Sequence, residues 1–403
     1  MKTEYDRRSA IGFIEPLYKI SVALAVAPPC CLKEHKISKW KTNKNYGILM
    51  TLLVITGYVL SVIGRVHDCY PYFANATLVV TDALFGFVLT VANVISILIP
   101  LSYTRTNFVT FLNAFATVDD FLVRNGKNVE KKYKFLVVQL IFGHVVMLTL
   151  FVYDAYVWLT SVGMKQYRNY IFRDIQSYYS SVVIMMIYNL LLSLTCRFRS
   201  LNELLDNLCP FDLMDNVNVL CELKVRVTQL QPYRRVQQIS QVYEVLITQI
   251  IYFNRVFGWQ ILFITATIVV GLLNTLDILI VYGVFKNNHG SLTFGNDLII
   301  LSIFWSVLHF IFGTIVAASC DSATKEAQRT AEICYKLLLS LPAMPEKSQD
   351  RALREQLYLL AQLSSQRCPG FSAAGFFRVD YSMLLALFGS VTSYVIVVIQ
   401  FNK

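Results

Sequence analysis

Five carboxylates stand inside or at the edges of long apolar runs: Asp82, Asp154, Asp174, Asp277 and Asp297. A carboxylate is costly in hydrocarbon, so within a membrane it faces a water-filled cavity or a partner. Tyr153, Tyr156, Trp158, Tyr178, Tyr179 and Tyr282 lie at similar positions along these runs. Aromatic faces beside carboxylates suit a cationic or hydrogen-bonding small molecule. The plainer reading places them at a membrane–water interface, where aromatics gather and acids stay hydrated. It accounts for Asp174 and Asp297. Asp154 and Asp277 lie deeper, and with Tyr153, Tyr156, Trp158, Tyr178 and Tyr179 they are the ligand-binding candidates.

Catalysis has little to stand on. His144 and His309 are isolated in apolar segments and read as hydrogen-bonded core histidines. No Cys or His pair has metal-ligand spacing, and there is no glycine-rich phosphate loop or nucleophile elbow. Neither an enzyme nor a metal or other cofactor is expected.

The elements that must position these residues are membrane-spanning helices. The chain has 403 residues, 55% hydrophobic and 15% charged, with a mean hydropathy of +0.51. An ordinary soluble domain is nearer ~25% charged. Apolar segments of spanning length run from about Tyr46 to Gly64, Leu78 to Leu101, Phe135 to Leu159, Ser177 to Cys196, Phe257 to Phe285, Phe294 to Ser319 and Asp380 to Phe401. The expected fold is all-α, with seven transmembrane helices.

Thirty of the 36 Lys and Arg fall in the N-terminus and the second, fourth and sixth loops. Arg65 counts with the short first loop. By the positive-inside rule the N-terminus is cytoplasmic and the C-terminus extracellular, inverted relative to G-protein-coupled receptors. Asn75-Ala76-Thr77 is then a glycosylation sequon outside, and Cys69 alone of nine cysteines lies in an exterior loop. The net charge of +10 is spread over loops that border an anionic lipid leaflet, and nucleic acid is not an expected partner.

Residues 1–45 read as a cytoplasmic segment in which Leu17 to Pro28 forms an amphipathic helix on the membrane surface. Residues 46–319 hold helices one to six and the ligand-binding bundle, with a cytoplasmic loop at 197–256. Residues 320–370 form a cytoplasmic helical linker, and 371–403 the last helix. Leu201 to Leu208, Val236 to Phe253, Lys325 to Leu341 and Gln349 to Gln366 read as amphipathic helices outside the membrane.

On the last helix, Ser382, Ala386, Gly389, Ser390, Ser393 and Gln400 recur near helical spacing, giving one narrow polar face. Such a face suits a pore lining or close packing against another helix. The same segment carries Phe376-Phe377, Asp380, and Tyr394 followed by five apolar residues and Gln400-Phe401. This closely resembles the terminal motif of insect gustatory receptors, Thr-Tyr, five apolar residues, Gln-Phe, with Ser393 standing where Thr is usual.

The resemblance implies a homo- or heterotetrameric ligand-gated cation channel whose last helices line a central path. Gln400 and Phe401 would form or flank the gate, Ile396 and Val397 would extend the constriction inward, and Ser390 and Ser393 would lie along it. The cytoplasmic helices would form the anchor between subunits. Sugar receptors of the family commonly carry Glu after the motif Tyr, where this chain has Val395. The implied ligand is thus a bitter plant compound, with a fructose-type receptor or an odorant-receptor-like subunit as alternatives.

Overall fold

The computed structural model describes residues 15–28, 44–73, 75–101, 105–127, 133–208, 232–284, 296–341, 348–366 and 370–401. Its helices of nine residues or more are α1 (Glu15–Ala23), α2 (Lys44–Asp68), α3 (Ala76–Leu101), α4 (Arg105–Arg124), α5 (Tyr133–Ser161), α6 (Ile171–Asp206), α7 (Pro232–Ile278), α8 (Asn296–Ser340), α9 (Ser348–Gln366) and α10 (Tyr381–Phe401). Seven of them, α2, α3, α5, α6, α7, α8 and α10, are long and apolar enough to cross a membrane.

Three spans are far longer than a bilayer requires. At about 1.5 Å per residue, the 47 residues of α7 extend over roughly 70 Å, against about 30 Å of hydrocarbon. The amphipathic stretches expected at Leu201, Val236 and Lys325 are continuous with α6, α7 and α8. No Pro or Gly separates each stretch from its span, so nothing breaks the backbone hydrogen bonding there.

The region from Arg105 to Lys134, treated above as a basic loop, contains α4. Its Phe108, Phe111, Leu112, Phe115, Val118 and Leu122 recur every three or four residues and are all buried. Phe111 meets Phe115 at 4.8 Å and Phe253 of α7 at 6.1 Å, and Phe253 meets Phe371 at 5.3 Å. On this same buried face, Asp119 accepts a 2.5 Å bond from Arg197 of α6, whose guanidinium lies 4.1 Å from the Phe115 ring centre. Burial pushes the Asp119 carboxyl up, and Arg197 pulls it back in part.

The N-terminal helix also differs from expectation. One face of α1 is covered by protein: Leu17, Tyr18 and Ser21 are buried, as are Val26 and Ala27 just after the helix, and Tyr179 of α6 donates to the Leu24 carbonyl at 2.5 Å. An amphipathic face is satisfied by any apolar surface, and here the bundle supplies it.

A two-stranded antiparallel hairpin precedes α10 and interrupts the otherwise helical fold, pairing Ser372 with Arg378 and Ala373 with Phe377. Its tip turns through Ala374 and Gly375, both left-handed at φ 51° and 83°. Asn254 of α7 holds it, donating to the Gly370 carbonyl at 3.0 Å and accepting from the Ser372 amide at 3.2 Å. The Phe376-Phe377 pair therefore lies in this hairpin, before the helix.

Asp380 then caps α10, accepting from the Ser382 amide at 2.9 Å and its hydroxyl at 2.5 Å. These bonds hold its carboxyl below the usual carboxylate range.

Candidate functional site

Where α2 ends, α3 begins, α5 ends and α6 begins, an ion-pair cluster closes one end of the bundle. Arg65 of α2 is 1% exposed and donates to Asp82 of α3 at 2.7 Å. Arg173 of α6 donates to the other Asp82 oxygen at 3.0 Å, and Tyr70 adds a third donor at 3.0 Å. The Arg173 guanidinium sits 4.4 Å from the Tyr170 ring centre, and that ring stacks on Trp158 at 4.4 Å. Tyr170 is buried, and burial holds its hydroxyl pKa well above the ordinary value.

Beneath the cluster lies a cavity of about 60 Å³ bounded by α3, α5, α6, α7 and α8. Asp82, Asp154, Arg173 and Asp174 are its charged walls; Phe85, Trp158, Tyr170, Tyr282 and Trp305 are its aromatic ones. Asp154 is 1% exposed and accepts from the Trp305 indole at 3.1 Å. His309 shares a 2.7 Å bond with the Trp305 carbonyl, so its Nδ1 carries the proton. Gly271 makes room for this imidazole, since a Cβ there would lie 2.3 Å from its Nε2. Beyond Ile278 the last turn of α7 widens into a π-helix, Leu279–Val284, a geometry common at functional sites.

Of the expected ligand-binding residues, Asp154 and Trp158 line this cavity. Asp174, assigned above to the interface, is 6% exposed and also lines it: the first turn of α6 points the carboxyl inward beside Arg173. Asp297 is exposed, as an interfacial acid would be. Tyr153 meets Phe304 of α8 edge-on, Tyr156 is 57% exposed, Tyr178 meets His144 at 3.4 Å, and Tyr179 holds α1.

Asp277 is fully buried and belongs to a different contact. It accepts from Thr81 of α3 at 2.9 Å and from Tyr394, the motif tyrosine of α10, at 2.9 Å. Asn274, Thr275 and Ile278 on the same turns of α7 are cavity walls. Cavity and last helix are thus attached to one stretch of α7.

The last helix has two faces. Met383, Val391 and Val398 are buried against the bundle. Ser390, Ser393, Ile396, Val397 and Gln400 are exposed on the single chain. Phe401 ends α10, and its side chain lies outside the described residues. Asn75 precedes the first turn of α3.

Sequence reasoning missed Arg65 and Arg173 because both were counted as loop charges. The available signal was position: Arg65 directly follows one apolar run and Arg173 stands four residues before another, within reach of the helix ends. Among the described residues no cluster of His, Cys, Asp and Glu has the geometry to hold a metal ion.

The family described as 7tm Chemosensory receptor matches residues 14–403. Gustatory receptor 68a of Drosophila melanogaster is 26% identical over 110 residues, 27% of this chain and 25% of that protein. Gustatory and pheromone receptor 32a of the same organism is 28% identical over 99 residues, 25% of this chain and 20% of that protein. These alignments therefore span a quarter or less of each relative's length. The insect olfactory receptor OR5 from Machilis hrabei superposes with a TM-score of 0.62 at 13% identity, covering 98% of this chain and 100% of that one. The same receptor in complex with eugenol gives 0.58 at 13% identity, with the same coverage. At such identity the likeness is one of fold. The chain is therefore a multi-pass membrane protein that belongs to the seven-helix insect chemosensory receptor family, with gustatory receptors among its relatives.

Proposed function

We propose that the chain is a gustatory receptor subunit: a ligand-gated, weakly selective cation channel in the plasma membrane of chemosensory neurons. A small tastant of the bitter plant class occupies the cavity. Residues 371–403 supply the pore helix, 46–319 the bundle with its cytoplasmic loop at 197–256, and 320–370 the anchor. The N-terminus, residues 1–45, is cytoplasmic. Four subunits, identical or mixed, surround the ion path within the lipid bilayer.

The observation that carries this reading is the bond from Tyr394 to Asp277. A ligand that binds an expanded cavity more tightly than the observed one shifts α7, and α7 holds the pore helix through that bond. The exposed face of α10 supports the same reading. Val397 and Ile396 exclude water when four copies meet, and a small rotation that brings Ser390, Ser393 and Gln400 inward admits it. The complex of the Machilis hrabei receptor with eugenol supports a small-molecule ligand.

The test is whole-cell current from cells expressing this chain alone, with alkaloids, glycosides and sugars applied with and without a G-protein blocker. A rapid, blocker-insensitive cation current evoked by a bitter compound is expected. A current abolished by the blocker would sink the channel reading.

A further inference from the structure

The geometry points to a cavity that selects ligands carrying one positive charge, with the ammonium head seated between Asp154 and Asp174. This inference rests on the cavity being the tastant site proposed above.

It follows from a count of charge. Three carboxylates, Asp82, Asp154 and Asp174, line the cavity, and two guanidiniums, Arg65 and Arg173, accompany them. Asp82 forms the ion pairs with both guanidiniums, at 2.7 and 3.0 Å, and Arg173 reaches Asp154 and Asp174 only through space. Asp154 and Asp174 both line the cavity, and both are more than nine-tenths buried. The Oδ2 atom of each lacks a hydrogen-bond partner. Lys165 and Arg168 do not supply the missing charge, because they pair with Asp68 at an exposed rim where solvent screens them. His309 meets a backbone carbonyl and Gly271 in place of a carboxylate.

With Asp154 and Asp174 both ionised, one negative charge is in excess inside a small, largely aromatic cavity, and a bound cation relieves the repulsion between them. An ammonium donates to both free oxygens at once, and Trp158, Tyr170 and Trp305 offer ring faces to the cation and to its apolar body. A neutral ligand of the same shape leaves the two carboxylates facing each other without compensation. The cavity, at about 60 Å³, is small beside the ~300–1,000 Å³ of drug-sized pockets. The charged head fits first, and the walls part for the rest.

The experiment uses the purified full-length chain in detergent and reads thermal stabilisation during titration with 2-phenylethylamine and with its uncharged isostere 2-phenylethanol. The amine is expected to half-saturate at a concentration about tenfold or more below the alcohol. Asp154→Asn and Asp174→Asn should each bring the two ligands within about twofold, by weakening the amine and easing the carboxylate repulsion that disfavours the alcohol. Arg173→Gln should widen the preference, a gain that misfolding does not produce. Equal binding of both ligands, no binding of the amine, or a preference that survives both Asn variants would overturn the inference. Because binding is read without current, amine binding that never evokes a current sinks the channel reading alone. A current evoked equally by amine and alcohol sinks the charge selection alone.

Discussion

One side chain on the last helix, Tyr394, connects the helix that walls the cavity to the proposed pore. Tyr394→Phe removes one 2.9 Å bond to a buried carboxylate, a contact of a kind worth ~1.5–3 kcal/mol. In our reading the small cavity marks the resting state, so this bond holds the channel closed. Tyr394→Phe should lower the half-maximal tastant concentration about tenfold and raise basal current. Unchanged dose–response curves would remove the bond from the mechanism. At the start of the same helix, Asp380→Ala removes the cap, worth about 1 kcal/mol, and should speed hydrogen exchange at the Ser382 and Met383 amides roughly fivefold. Because the folded carboxyl titrates below its unfolded value, this stabilisation is present above the unfolded pKa of about 3.9 and lost as pH falls through the folded one. Wild type and variant should therefore exchange alike at low pH. Asp154 and Trp158 were legible in the sequence because a buried acid among aromatics has few plain explanations. Asp174 was not, since residues near a helix end read equally well as buried or as interfacial.

At the scale of elements, hydrophobic runs gave all seven spans, and the lack of Pro and Gly at the joins 196–201, 253–257 and 319–325 could have shown that three of them continue beyond the membrane. The helix α4 was hidden by its own polar residues. Its stripe of Phe108, Phe111, Leu112 and Phe115 was present, but the segment lacks the length of uninterrupted apolar residues that marks a span. The ion pair that seats it is testable. Asp119→Ala strands Arg197 in a buried site and should cost ~3–5 kcal/mol, whereas the double variant Asp119→Leu with Arg197→Met should recover most of that loss. Thermal unfolding in detergent reads both. Equal losses would mean that shape, and not the uncompensated charge, dominates there. A tighter contact lies between α7 and α8, where Gly271→Ala would drive a methyl into His309 and should destabilise by about 1–3 kcal/mol.

The whole molecule is a bundle whose cavity carboxylates, Asp82, Asp154 and Asp174, gather at one end, and the positive-inside rule predicts that this end faces outside the cell. Tags on intact cells test this: a C-terminal tag should bind antibody and an N-terminal tag should require permeabilisation. A reversed result would put the cavity on the cytoplasmic side. Glycosidase treatment should shift the wild-type chain and leave Asn75→Gln unmoved. The terminal motif made the family legible from the sequence. The hairpin before it was not, because two strands of two residues each leave no periodicity to read. The central claim, that the exposed face of α10 borders an ion path, is tested most directly by unitary currents from purified protein in a planar bilayer. The account predicts discrete openings that reverse at the cation potential, and a lower conductance in Gln400→Lys. A silent bilayer, or a Gln400→Lys channel identical to wild type, would contradict it.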